Sequence, residues 1–206
     1  MMPDAVPAAA APQRARTTRL GHRAPAVRQD GLVSALCVVV MGVSGTGKTT
    51  VGHLLAARAG VPFADADSFH SAASIAKMSS GAPLDDADRE PWLAAVGRWL
   101  QQRSEQTGGV IACSALTRRY RDILRAAAPT VFFVHLTADR DELIERMDGR
   151  DHYMPATLVD SQLRTLEPLE PGERGIALRT DRAPEQLAEV AAAAARNAGT
   201  AETDPR

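Results

Sequence analysis

The sequence predicts an α/β fold, a five-stranded parallel sheet with helices on both faces. Three observations carry that expectation. From residue 35 onward, short apolar runs alternate with stretches of helical spacing. The first run, Leu36 to Met41, is apolar at every position, as a strand buried on both faces must be. No internal repeat or linker interrupts the alternation, so residues 35–198 read as one domain.

Each element has its own signal. After Met41 a Gly-rich turn leads into a helix through Val51, Leu54, Leu55 and Arg58, stopped by Gly60 and Pro62. Pro62 to Asp65 is a short second strand. Trp92, Leu93, Val96, Trp99 and Leu100 recur at helical spacing, which predicts a helix over 91–102 with Pro91 near its start. Gly109 to Cys113 is a third strand, Thr117 to Ala127 a helix, and Thr130 to Leu136, rich in β-branched residues and Phe, a fourth strand. Asp139 and Glu142 have capping-box spacing before Leu143, Ile144 and Met147. Pro155 opens a further helix, Gly175 to Arg179 is a fifth strand, and Pro184 starts a final Ala-rich helix.

Composition narrows the function classes. Aromatics make up only 4% of the chain, so the core must be built from Ala, Val, Leu and Ile. Net charge is −1, which gives no global field toward nucleic acid or an anionic membrane. No run approaches the ~18 consecutive apolar residues of a membrane span. Cys37 and Cys113 lie in apolar runs, form no CxxC and fit a reducing, cytoplasmic setting. Residues 1–34 are rich in Ala, Pro and Arg and poor in acids. An organelle transit peptide shares that composition, but the prolines break an amphipathic helix and favour a disordered tail. Residues 199–206 read as a frayed end.

The sharpest motif is Gly42-Val43-Ser44-Gly45-Thr46-Gly47-Lys48-Thr49, which fits G-x-x-x-x-G-K-[ST] at every fixed position. A buried strand precedes it and a helix follows, as a phosphate-binding loop requires. Glycines let backbone N–H groups face phosphate oxygens, and the helix N-terminus adds positive potential. Lys48 is the residue for the β- and γ-phosphates of ATP and Thr49 for Mg²⁺, and Thr50 extends the nucleotide-binding set. The motif specifies a nucleoside triphosphate but not what receives the phosphoryl group.

Asp65-Ala66-Asp67 falls at the end of the second strand, where open parallel sheets bind ligands. Asp65 is placed to hold the Mg²⁺ shell, and Asp67 to accept the proton of an acceptor hydroxyl. The competing reading is a polar strand end, with Asp67 or Ser68 capping a helix. A dense polar run follows: His70, Lys77, Asp86, Asp88 and Arg89.

These residues carry a family resemblance. Asp65-Ala66-Asp67, Phe69-His70, Ile75-Ala76-Lys77-Met78, Gly81-Ala82-Pro83-Leu84, Asp86-Ala87-Asp88-Arg89 and Pro91-Trp92-Leu93 occur in the order of the gluconate kinases. Cys113-Ser114-Ala115-Leu116, Tyr120-Arg121-Asp122, His152-Tyr153, Gln162 and Thr165-Leu166-Glu167 continue it. The chain resembles that family, a branch of the small-molecule kinases related to shikimate and adenylate kinases, from Val38 to about Glu173. It departs at Ala66 (family Gly), Ser71 (Pro), Ser74 (Asn), Thr117 (Lys) and Tyr153 (Phe), of which Ser74 and Thr117 bear on acceptor contacts.

The resemblance implies a P-loop NTPase fold of nucleotide/shikimate-kinase type with a lid. It also implies ATP and Mg²⁺ as cofactors, D-gluconate as acceptor and 6-phospho-D-gluconate as product, and it allows a homodimer. His70, Lys77, Arg89, Arg118, His152 and Gln162 become candidates for the acceptor site beside Asp67. Arg146 or Arg150, from the region where related kinases carry the lid, becomes the candidate for stabilising the transferred phosphoryl. Phosphorylation of another hydroxy acid such as shikimate, or a nucleotide-dependent switch, are the alternatives. Basal hydrolysis that no acceptor stimulates would mark the switch.

Overall fold

The computed structural model describes residues 35–80, 82, 84–148 and 156–200. Residues 1–34 and 201–206, and with them the proposed tail, lie outside the described residues, as do Arg150, His152 and Pro155.

The sheet has five parallel strands in the order β2-β3-β1-β4-β5. They are β1 (Cys37–Met41), β2 (Phe63–Asp65), β3 (Gly109–Ala112), β4 (Phe132–Thr137) and β5 (Gly175–Arg179). The all-apolar run of β1 takes the central place, paired with β3 through Val39–Ile111 and with β4 through Val39–Phe133. Its side chains alternate between two cores, as a strand's period of two requires. Val38 and Val40 pack with α1 (Lys48–Ala59) and the alanines of α7 (Pro184–Thr200). Cys37, Val39 and Met41 pack with α3 (Asp86–Ser104) and α4 (Arg118–Ala127). A third cluster, Val43, Leu116, Leu143, Met147 and Val159, seats α5 (Arg140–Asp148) and α6 (Ala156–Thr165) over the end of β1.

Several boundaries differ from the sequence expectation. α3 begins at Asp86, well before Pro91, because Asp85 and Asp88 form a reciprocal capping box that starts the helix there. Pro91 therefore sits inside the helix, beyond the first turn where a missing N–H is free of consequence. A short helix, α2 (Ala72–Ser79), occupies the polar run before it, capped by Ser71, whose side chain accepts the Ser74 N–H. Of the Asp139–Glu142 box only one half forms. Glu142 accepts the Asp139 N–H at 3.1 Å, while the Asp139 carboxylate takes Arg179 at 3.0 Å. α7 continues through Thr200, past the boundary at 198.

The largest departure concerns Arg121. It stands in sequence among the basic residues Arg118, Arg119 and Arg125, yet it is fully buried. Its guanidinium pairs with Glu173 at 2.7 and 2.8 Å and donates to the carbonyls of Leu116, Glu167 and Pro168. The pair ties α4 to the segment before β5. Burial pushes the Glu173 carboxyl up. The Arg121 hydrogen bonds, the Glu170 N–H and the charges of Arg121 and Arg118 outweigh it and hold the group below its ordinary range.

Glu173→Ala leaves a guanidinium buried without its partner, so urea unfolding at neutral pH should show a loss of about 3–5 kcal/mol. The pH dependence has a definite sign. A carboxyl depressed in the folded state contributes stability above its unfolded value and loses it as pH falls through the folded one. The gap between wild type and variant should therefore shrink in acid, and a constant gap would show that the carboxylate charge is not what stabilises.

Candidate nucleotide and acceptor site

The site lies beyond the carboxyl ends of β1, β2 and β3. The loop after β1 turns sharply because Gly42, Gly45 and Gly47 all have positive φ, at 139°, 87° and 85°. A Cβ on Gly42 would come within 2.5 Å of the Leu136 carbonyl oxygen. At Gly47 nothing lies within 4 Å of such a Cβ, which leaves open space at the helix entrance where phosphate must lie. Val43 anchors the loop by burying its side chain, and its carbonyl accepts from the Thr46 hydroxyl at 2.8 Å and the Lys48 ammonium at 3.1 Å. The Gly42 N–H reaches the Ser114 carbonyl at 3.3 Å, joining the loop to the end of β3. Next to Ser114, Ala115 holds a left-handed φ of 41°, an unusual conformation for a residue with a side chain.

Thr49 opens α1 and donates its hydroxyl to Asp65 Oδ2 at 2.9 Å. The other Asp65 oxygen accepts the Asp67 N–H at 3.1 Å. Asp65, not Asp67 or Ser68, thus caps the 3₁₀ turn over Ala66–Phe69. A hydroxyl and a carboxylate oxygen side by side, next to a phosphate loop, are hard oxygen donors of the kind Mg²⁺ takes together with phosphate oxygens and water. The residues present fit that ion.

The acceptor side is built on a stack. His70 lies on Trp92 with ring centroids 4.7 Å apart and planes 9° from parallel. Trp92 in turn donates Nε1–H to the Ala66 carbonyl at 2.7 Å, fixing the turn that carries Asp67. Burial lowers the His70 pKa, the Asp67 carboxylate raises it and the Arg89 charge lowers it, so the imidazole is held neutral within the field of both groups. Cys113, at the end of β3, is pushed up to about 12, chiefly by burial; the charges of Asp67, Lys48 and Asp65 also reach it. The four charged groups Lys48, Asp65, Asp67 and Arg89 thus converge on one end of the sheet, and Cys113 is no nucleophile among them.

The other predicted cations are engaged elsewhere. Lys77 bridges Asp85, at 3.2 Å, and Asp88 at the start of α3. Arg118 pairs with Asp122 at 2.9 Å and Glu170 at 2.7 Å, and Glu173 is 3.6 Å away. Arg146, expected to face the transferred phosphoryl, donates to the Thr180 hydroxyl at 2.7 Å and to its carbonyl at 2.8 Å, on the loop after β5. Gln162 on α6, expected at the acceptor, accepts the Ser44 N–H of the phosphate loop at 2.7 Å. The residues that depart from the family pattern have local roles. Ser74 is buried and its hydroxyl meets that of Ser71 at 3.0 Å, while Thr117 caps α4 by accepting the Tyr120 N–H at 3.3 Å. Arg89 donates to the Tyr120 hydroxyl at 3.0 Å. Sequence reasoning placed Tyr120 only within a motif; its partners lie far away along the chain.

With this geometry in place, comparison with known proteins identifies the family. The Shikimate kinase family matches residues 44–193. A gluconokinase of Gluconobacter oxydans is 50% identical over 132 residues, covering 63% of this chain and 74% of that protein. The thermosensitive gluconokinase of Escherichia coli is 41% identical over 141 residues, covering 67% and 75%. The chain belongs to the gluconokinase family. A crystal structure of a gluconokinase from Sinorhizobium meliloti superposes with a TM-score of 0.75 at 40% identity, covering 82% of this chain and 96% of that one. Membership in this kinase family carries ATP use with it. No helix among the described residues is long and apolar enough to cross a membrane.

Gly42→Ala should abolish binding of MgATP, read by calorimetric titration, because the added Cβ meets backbone in a conformation that resists a side chain. Its stability should fall by roughly 1–3 kcal/mol. Normal nucleotide affinity in this variant would show that the turn at Gly42 does not set the loop.

Proposed function

We propose that the protein transfers the γ-phosphoryl group of ATP to D-gluconate, giving 6-phospho-D-gluconate and ADP. Kinship with gluconokinases supports the acceptor. The observation that carries it is a cation left over. Of Lys77, Arg89 and Arg118, Arg89 alone has no carboxylate partner among the described residues. A sugar acid brings a carboxylate that needs a guanidinium for both energy and orientation. Arg89 is that group, with His70 beside it as a neutral, stacked wall.

The remaining roles follow from chemistry. The loop N–H groups and Lys48 neutralise the phosphates, and Thr49 with Asp65 would hold Mg²⁺, which would supply further neutralisation of phosphate charge. Asp67 orients the acceptor hydroxyl and takes its proton as the oxygen attacks phosphorus. Gln162 fixes the Ser44 peptide of the loop. Arg146 joins α5 to the loop after β5 through Thr180, Arg150 is the candidate to close over the transferred phosphoryl, and His152 remains a candidate for the acceptor. Water exclusion by that closure keeps hydrolysis from competing.

ADP release from MgATP should rise strongly with D-gluconate and not with shikimate, glucose or water. Stimulation by shikimate alone would replace the acceptor, and no stimulation by any acceptor would end the kinase reading in favour of a switch. Asp67→Asn should lower kcat by about 10²–10⁴ while ATP binding stays near normal. Full turnover in that variant would remove Asp67 from proton transfer.

A further inference from the structure

We propose that Tyr120 is a specificity-determining positioning residue, whose hydroxyl keeps Arg89 apart from Asp86 and so leaves the Arg89 guanidinium available for the acid group of the acceptor. The inference rests on the reading of Arg89 given above. Its starting point is a pairing that is absent. Asp86 and Arg89 stand three residues apart on α3, the spacing at which an acid and a base meet on a helix surface. No such pair forms. The Tyr120 hydroxyl from α4 stands between them, 3.0 Å from Arg89 Nη1 and 2.7 Å from Asp86 Oδ1.

The polarity of this chain is forced. A guanidinium only donates, so the hydroxyl accepts from Arg89. An ionised carboxylate only accepts, so the single hydroxyl proton goes to Asp86. Arg89 spends one N–H on a neutral oxygen and keeps its charge and its remaining N–H groups. Asp86 is satisfied a second time from outside, by Arg119 at 2.8 Å, which also reaches Glu90 at 3.3 Å. Burial first, and then the bond to Asp86, raise the phenol pKa, so the proton that maintains the chain stays in place across the neutral range. Tyr120 is itself buried, at 8% exposure, and its guanidinium partner also lies 5.9 Å from its ring centroid, so the contact has little freedom to drift.

Tyr120→Phe keeps the ring and removes the spacer. Asp86 is then free to take Arg89. The KM for D-gluconate should rise about tenfold or more, the range expected for losing a hydrogen bond to a charged group. The KM for ATP and the melting temperature should change little. The preference for gluconate over D-glucitol, which has no carboxylate, should fall by the same factor. Adding Asp86→Asn to Tyr120→Phe removes the competing charge and should restore much of the gluconate KM. Full preference for gluconate in Tyr120→Phe, with wild type also selective, would overturn the role of Tyr120 alone. An equal loss on both acceptors and on ATP, or no recovery in the double variant, would make Tyr120 a packing residue and overturn it too. Wild type that treats gluconate and glucitol alike would overturn the acid-binding reading itself, and with it this one.

Discussion

The structure depends on a reversal of the chain at Gly42. β1 is the central strand, so the loop leaving it emerges between β3 and β4 with no room to spread. A Cβ at Gly42 would stand 2.5 Å from the Leu136 carbonyl oxygen of β4, and the Gly42 N–H is taken by Ser114 after β3. Only a residue without a side chain can turn there, and the turn aims the following N–H groups and the start of α1 at one point. The apolar residues around the loop serve that geometry. Val43, Leu143 and Met147 close over it from one side, and Gln162 holds the Ser44 peptide from α6. Because β2 and β3 end at the same edge, Asp65, Asp67 and Cys113 arrive beside the loop without any further device.

A second constraint is charge. A site for two anions, a nucleotide and a sugar acid, attracts basic side chains, yet each cation left unpaired in a partly buried place is unfavourable. The structure answers this by engaging three of the cations near the site with carboxylates. Lys77 is held by Asp85 and Asp88, Arg118 by Asp122 and Glu170, and Arg121 by Glu173. What remains for ligands is then a short list, and on the proposed reading selectivity follows from the one cation of Lys77, Arg89 and Arg118 left without an acid. That is a more specific device than a basic patch, because a neutralised guanidinium contributes little to a distant anion while an unpaired one contributes much.

Local signals in the sequence were enough for the sheet. The run of β1, the helix-ending Gly60 and Pro62, and the spacing of the loop motif are properties of neighbouring residues, and β5 follows its sequence expectation to the residue. Where the expectation fell short, the deciding partner was not the obvious one. Pro91 suggested a helix start, but the Asp85–Asp88 exchange sets it earlier. Ser71 caps a helix too short and too polar to show a periodic face. Arg121 looked like its neighbours Arg118 and Arg119, yet its partner Glu173 lies 52 residues away in sequence. Tyr120 and Arg89 meet across 31 residues. Periodicity can show that a side chain points inward; it does not show which distant carboxylate or hydroxyl will be there.

The buried pair and the proposed spacer are connected by one helix. Tyr120 and Arg121 are successive residues of α4, so the orientation of that helix sets where the phenol hydroxyl stands. A hydroxyl that must touch Arg89 on one side and Asp86 on the other tolerates little rotation or sliding. Apolar packing through Leu124 alone would leave α4 such freedom, since hydrophobic contact is not directional. Arg121 removes it, because its guanidinium must meet the Leu116, Glu167 and Pro168 carbonyls and both Glu173 oxygens at once. A buried ion pair is weak evidence for added stability, since apolar residues of the same volume often do as well. Here its directionality has a use that apolar residues would not supply: it fixes the helix whose neighbouring residue, Tyr120, stands between Arg89 and Asp86.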